Sequence, residues 1–219
     1  MNNVLKVKDL SISYPKSPPI AYPDFNLDKG EFLGLTGPTG SGKTTLLNGL
    51  FKRHFIGQVN YESCLLNNKP LREYSDRELY KRVSYLPQFA QDAFNPFLKL
   101  NKQLDYICES NDFYDYSLFY KWLEKIQLSR EVLSKYPYQL SGGMKQRLLL
   151  CFGLLSRPDL YLFDEFTTGI DAITLKIITE FLQDFKGHEF SAIIISHERG
   201  FINKITDTLL VLEEKDYGA

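Results

Sequence analysis

Apolar runs of four or five residues, set apart by polar turns, recur along the chain, and their lengths read as strands. Residues 4–7 and Leu10–Ser13 are the first two. Residues 25–27 and 31–36 flank Lys29-Gly30, which predicts a hairpin. Residues 32–35 run straight into a glycine-rich segment, and 44–51 continue as a helix. Further strands are expected at Val83–Leu86, 160–163, 192–195 and 208–212. Helical spacing of apolar positions falls near 114–126, 141–154 and 172–185.

Strands that alternate with helices argue an α/β fold with parallel central strands. An N-terminal antiparallel β part is expected beside that sheet. The stretch from Gln88 to about Pro158 is rich in aromatic and charged residues and predicts a helical subdomain over 88–157. The core is then assigned to 1–87 and 158–219, within one domain of 1–219. Ser17-Pro18-Pro19 reads as a local turn or loop.

Composition narrows the class. The 219 residues suffice for a sizeable core, and a net charge of −1 argues against a nucleic-acid-binding polycation. Cys64, Cys108 and Cys151 are odd in number and far apart, so buried reduced thiols are expected rather than disulfides or a zinc site. The first residues lack the signal-peptide pattern. The longest apolar run, 148–155, is far short of a membrane helix, so any membrane role would come through partners.

The glycine-rich segment is Gly37-Pro38-Thr39-Gly40-Ser41-Gly42-Lys43-Thr44, followed by Thr45, and fits G-x-x-x-x-G-K-[ST]. Its glycines free the backbone to curl with N–H groups inward around phosphates, and the next helix adds its positive end. Lys43 would reach the β and γ phosphates, and the Thr44 hydroxyl would ligate Mg²⁺. By itself the motif is shared by kinases, GTPases and motors. Asp164 ends an apolar run, so its carboxylate would emerge at the carboxyl edge of the sheet, where ligands sit. Two adjacent acids there, Asp164-Glu165, are elsewhere more often a turn to solvent; the upstream phosphate loop favours Asp164 as a Mg²⁺ holder. Ser141 is a preferred N-cap residue for the helix that follows, and Gly142-Gly143 let backbone amides approach an anion.

Leu140-Ser141-Gly142-Gly143-Met144, between the phosphate loop and Asp164-Glu165, resembles the signature of the ATP-binding-cassette (ABC) family. The resemblance covers nearly the whole chain and implies a P-loop NTPase fold of ABC ATPase type. It implies an ATPase subunit that uses ATP and Mg²⁺ to power solute transport through transmembrane permease subunits. Such a subunit works at the cytoplasmic face of the cell membrane, peripheral through the permease, with an external solute-binding protein expected in the complex. In this family Glu165 corresponds to the catalytic base. His197, in Ile193-Ile194-Ile195-Ser196-His197, corresponds to the switch histidine at the γ-phosphate. Gln88, in Ser84-Tyr85-Leu86-Pro87-Gln88, corresponds to the glutamine that contacts Mg²⁺ and the attacking water. Tyr14 occupies the place of the aromatic that stacks on adenine; an ordinary core or surface tyrosine is the other reading. Ser141, Gly142 and Gly143 would serve ATP held by a second ATPase subunit, so composite sites form in a homo- or heterodimer.

A narrower likeness lies in Gln88-Phe89-Ala90-Gln91-Asp92-Ala93-Phe94-Asn95-Pro96 and in Tyr136-Pro137-Tyr138-Gln139. Both look like ATPases of peptide and nickel importers. Several positions depart from the family. Phe166 stands where Pro usually follows the base, Gly169-Ile170 replaces Ala-Leu before Asp171, and Glu198 stands for Asp. Few residues follow Leu212, where the peptide and nickel group often carries an extension. The alternatives are an exporter ATPase or a non-transport ABC ATPase on DNA or ribosomes. Long coiled coils or a second cassette would mark the latter, and neither is in this sequence.

Overall fold

A computed structural model describes residues 3–51, 55–112, 115–186 and 190–213. The chain opens with β1 (Asn3–Lys8), β2 (Leu10–Ser13), β3 (Ile20–Tyr22) and β4 (Phe25–Asp28). Then β5 (Phe32–Thr36) leads through the glycine loop into α1 (Lys43–Phe51). Next come β6 (Gln58–Asn60), β7 (Ser63–Leu66), β8 (Lys69–Pro70), α2 (Asp76–Arg82) and β9 (Val83–Leu86). A helical stretch follows with α3 (Leu100–Ser110), α4 (Tyr116–Lys125) and α5 (Gly142–Leu155). The chain closes as β10 (Leu160–Asp164), α6 (Ala172–Gln183), β11 (Ser191–Ile195), α7 (Arg199–Ile205) and β12 (Thr208–Val211).

The central sheet is parallel, in the order β12-β5-β11-β10-β9. Two antiparallel sheets, β4-β1-β7-β8 and β3-β2-β6, complete an α/β fold. Side chains alternate across a strand, so each central strand feeds two cores. Leu33, Leu35, Leu160, Leu162, Ile193 and Ile195 pack with α1 and the antiparallel strands. Phe32, Tyr161, Phe163, Ala192 and Ile194 pack on the other face with residues of α3 to α7. Burying each such leucine or isoleucine contributes about 1.5–3 kcal/mol. This doubly covered sheet is the rigid floor under the phosphate loop.

The expected hairpin at Lys29-Gly30 is corrected. The tight turn exists: Glu31 N donates to the Asp28 carbonyl at 3.1 Å, and Gly30 takes φ 82°. The strands on either side part company, because β4 pairs with β1 while β5 lies between β11 and β12. The reason is in their burial. β4 alternates buried and exposed residues, as a half-covered antiparallel strand does. β5 is buried on both faces, as a central parallel strand must be.

The helix expected over 114–126 begins at Tyr116, where the Asp115 carboxylate accepts from Leu118 N at 3.0 Å and caps it. Tyr114 lies outside the described residues. The strands β3, β6, β7 and β8 and the helices α2, α3 and α7 were not anticipated. α2 buries only Leu79, too little for apolar spacing to reveal it. Its capping box, Ser75 with Glu78, was the readable signal.

Candidate functional site

Parallel pairing brings the ends of β5, β11 and β10 to one edge. Leu35 stands beside Ile195, and Ile195 beside Asp164, in a single row across the three strands. The chain therefore delivers Gly37, His197 and Glu165 to neighbouring positions just past that row. Ligands gather at this carboxyl edge in open α/β sheets.

The loop from Gly37 to Gly42 curls tightly. Gly37, Gly40 and Gly42 have φ of 150°, 84° and 95°, and a Cβ on Gly42 would meet Tyr22 Oη at 2.8 Å. Tyr22 Oη also donates to the Gly42 carbonyl at 2.9 Å, so a β3 residue braces the loop from behind. Lys43 is only 6% exposed, and its ammonium donates to the Gly37 and Pro38 carbonyls at 2.9 Å each. Burial lowers the Lys43 pKa, and the Glu165 and Asp164 carboxylates oppose that shift. Ser41 Oγ is buried with no hydrogen-bond partner among the described residues. A buried cation beside an unsatisfied hydroxyl in a glycine cradle fits a phosphate anion.

Thr44 Oγ1 donates to Asp164 Oδ1 at 2.9 Å. A hydroxyl and a carboxylate paired in this way are oxygen donors of the type a hard divalent cation takes. Next along the chain, Glu165 adopts φ 49°, a left-handed backbone that is uncommon outside glycine. It turns the side chain so that Glu165 Oε1 lies 3.1 Å from His197 Nε2. Behind this pair, the Thr167 and Ser196 hydroxyls share a buried hydrogen bond of 2.7 Å. The Gln146 amide donates to the Phe166 carbonyl. Phe166 itself is buried against Phe163. The Thr167–Ser196 bond fastens the segment after Glu165 to the segment before His197.

The remaining sequence candidates lie elsewhere. Gln88 lines a small groove with Gly142, Lys145, Thr168, Gly169 and Ile170. Ser141 caps α5 as expected, accepting from Met144 N at 3.3 Å. Gly143 sits against α6: a Cβ there would meet Thr174 Oγ1 at 2.6 Å and Asp171 Oδ2 at 3.4 Å. Gly142 faces open space. Tyr14 is half-exposed, in tilted ring contact with Phe55 at 5.0 Å. Thr45 continues α1 behind Thr44. Sequence reasoning assigned no role to Tyr22, Gln146, Thr167, Ser196 or Tyr85. The last lies three residues before Gln88 and donates its hydroxyl to Asp164 Oδ2 at 2.6 Å. All three cysteines are buried and free; burial pushes the Cys64 thiol up to about 12.

Fold and site together define a phosphate-loop ATPase. The ABC transporter family model matches residues 21–168. The metal-staphylopine import system ATP-binding protein CntD of Staphylococcus aureus (strain Mu50) is 31% identical over 227 residues, covering 96% of this chain and 82% of the relative. The oligopeptide transport ATP-binding protein OppD of Haemophilus influenzae is 31% identical over 230 residues, covering 97% and 70%. Among solved structures, CbiO1 from Clostridium perfringens, part of the ABC transporter complex CbiONQ, superposes with a TM-score of 0.80 at 20% identity. That match covers 97% of this chain and 85% of CbiO1. The chain belongs to the ABC transporter family and is an ATP-binding, ATP-hydrolysing transporter subunit. No helix among the described residues is long and apolar enough to cross a membrane.

Proposed function

We propose that this ATPase powers import of peptide, nickel or metal-chelate solutes, working at the cytoplasmic face of the cell membrane. The transport names of OppD and CntD support the solute class. The solute itself is selected by the permease and an external solute-binding protein. Residues 88–157 act as the coupling subdomain against the 1–87 and 158–219 core. Phe89 and Phe97 are 51% and 85% exposed beside the Gln88 segment, which supports an apolar dock for the permease there. The permease that copurifies with this subunit identifies the transporter.

In the proposed mechanism the 37–45 loop binds the ATP phosphates, Lys43 offsets their charge, and Tyr14 stacks on the adenine. Thr44, Asp164 and Gln88 would hold Mg²⁺. When bound, Mg²⁺ neutralises charge developing on the phosphate oxygens. Glu165 accepts a proton from the attacking water, and His197 fixes the Glu165 carboxylate and senses the γ-phosphate. Ser141, Gly142 and Gly143 close on ATP held by a second ATPase subunit.

The observation that carries this reading is the Glu165–His197 pair standing beside the Thr44–Asp164 bond at one sheet edge. Single-turnover hydrolysis by Glu165→Gln tests it. The glutamine keeps the shape, so ATP binding holds or tightens, while turnover falls by roughly 10²-fold or more, the scale of general-base loss. Wild-type turnover in that variant contradicts the assignment.

A further inference from the structure

Tyr85 stands on β9, the edge strand of the central sheet, opposite Leu162 of β10. Its residue is 45% exposed, yet its hydroxyl reaches inward to Asp164 Oδ2 at 2.6 Å. Thr44 holds the other oxygen at 2.9 Å. Both oxygens of a carboxylate that is only 5% exposed are thus held by hydroxyl donors. A buried carboxylate needs such donors to match its oxygens and hold it in place. An O–H···O⁻ bond of this length is the strong, charge-assisted kind.

The two donors differ in kind. Thr44 lies in the phosphate loop's own helix, and its hydroxyl is assigned to Mg²⁺ as well as to Asp164. Tyr85 lies outside the loop, on the strand that leads to Gln88, and its hydroxyl bond is to Asp164.

We propose that Tyr85 is a positioning residue for the metal site: its hydroxyl holds the Asp164 carboxylate in the orientation that receives Mg²⁺, and thereby sets the Mg²⁺ requirement of nucleotide binding. The hold comes from the far side of the carboxylate, so it does not depend on where the Thr44 hydroxyl points. It also ties the strand before Gln88 to the strand that ends in Asp164. The proposal rests on Asp164 holding Mg²⁺.

The experiment uses Tyr85→Phe, which removes one oxygen and keeps the ring that packs at the sheet edge. A fluorescent ATP analogue is bound first in EDTA and then across a Mg²⁺ titration, alongside ATPase assays over the same Mg²⁺ range. The half-saturating Mg²⁺ concentration rises about three- to tenfold, part of what a charge-assisted hydrogen bond is worth. Affinity in EDTA stays as in the wild type, while the melting temperature falls by a few degrees as one buried carboxylate oxygen loses its donor. An unchanged Mg²⁺ dependence overturns the proposal. So does a loss of affinity that is equal with and without Mg²⁺, which marks a general disturbance of the loop.

Asp164→Asn separates the two possible failures. If Asp164→Asn shifts the Mg²⁺ dependence and Tyr85→Phe does not, only the Tyr85 proposal fails. If neither shifts it, the metal assignment fails and takes the proposal with it. In an Asp164→Asn background, Tyr85→Phe adds no further shift, because the two act as one unit. An additive shift in the double variant contradicts the proposal.

Discussion

The phosphate-loop end and the signature end of this chain are built on opposite plans. At the first, Lys43, Thr44, Asp164, Glu165 and His197 are joined to backbone or to one another by hydrogen bonds of 2.9 to 3.1 Å. At the second, Ser141 caps its helix, Gly143 is wedged against Thr174, and Gly142 opens outward. The first end holds a buried cation, an unsatisfied hydroxyl and a carboxylate pair within one chain. The second presents the start of a helix, with Gly142 open to space. That division suits the composite site proposed above, in which the signature of a second subunit would close over the phosphate loop of the first.

The sharpest way to break the comparison is to strip the charge from the first end. Lys43→Ala should weaken ATP binding by about two orders of magnitude, the worth of one or two hydrogen bonds to a charged group. The fold should survive, since burial already disfavours the Lys43 charge and its removal relieves that penalty. Titration with a fluorescent ATP analogue, with a melting curve alongside, reads both effects. Unchanged affinity in the folded variant sinks the phosphate assignment.

At the second end, the neighbouring glycines should respond oppositely. Gly143→Ala drives a Cβ to 2.6 Å from Thr174 Oγ1, which is itself bonded to Asp171 Oδ2 at 2.9 Å. Overpacking of this sort destabilises by about 1–3 kcal/mol, visible as a lower melting temperature. Gly142→Ala meets nothing within its own chain, so stability should hold or rise by a few tenths of a kcal/mol to about 1 kcal/mol from helix propensity. If Gly142 faces a partner's ATP, turnover in the assembled transporter should nonetheless fall about tenfold or more. Full activity in Gly142→Ala would mean that the open face meets no partner.

The smallest effect is on acid stability. Asp171 caps α6 beside Gly143, and hydrogen bonds from Thr174, the backbone N–H first, lower its pKa from the ordinary 3.8. A lowered carboxylate pKa stabilises the fold above pH 3.8, and that contribution is lost as pH falls through the lower folded value. Asp171→Asn keeps a capping oxygen and does not titrate. Its stability curve should therefore run flatter than the wild type's below pH 4, by a small margin because Asp171 is exposed. Identical acid limbs would show that the cap does not contribute.

The strands that are buried on both faces were legible because they are almost wholly apolar: β5, β10 and β11 read directly from Phe32–Thr36, Leu160–Asp164 and Ser191–Ile195. The short antiparallel strands were not. Gln58–Asn60 buries no residue fully, and Lys69–Pro70 is two residues long, so neither leaves a pattern. The hairpin misreading has the same root: a turn fixes the direction of the chain locally, whereas the sheet a strand joins depends on what covers its two faces. At the site, the loop and the acids were legible as motifs. The Tyr85 contact was not, because a tyrosine at a strand end carries no local signal and its partner is 79 residues away.

Sedimentation velocity of Glu165→Gln, alone and mixed with a candidate partner ATPase, tests the divided site most directly. Without nucleotide the subunit should sediment as a monomer. With Mg-ATP the blocked variant should accumulate as a closed dimer, with itself or with that partner, since each phosphate loop then meets the signature it lacks. An ATP-saturated chain that stays monomeric in both mixtures, while the wild-type monomer hydrolyses ATP at full rate, would contradict the account.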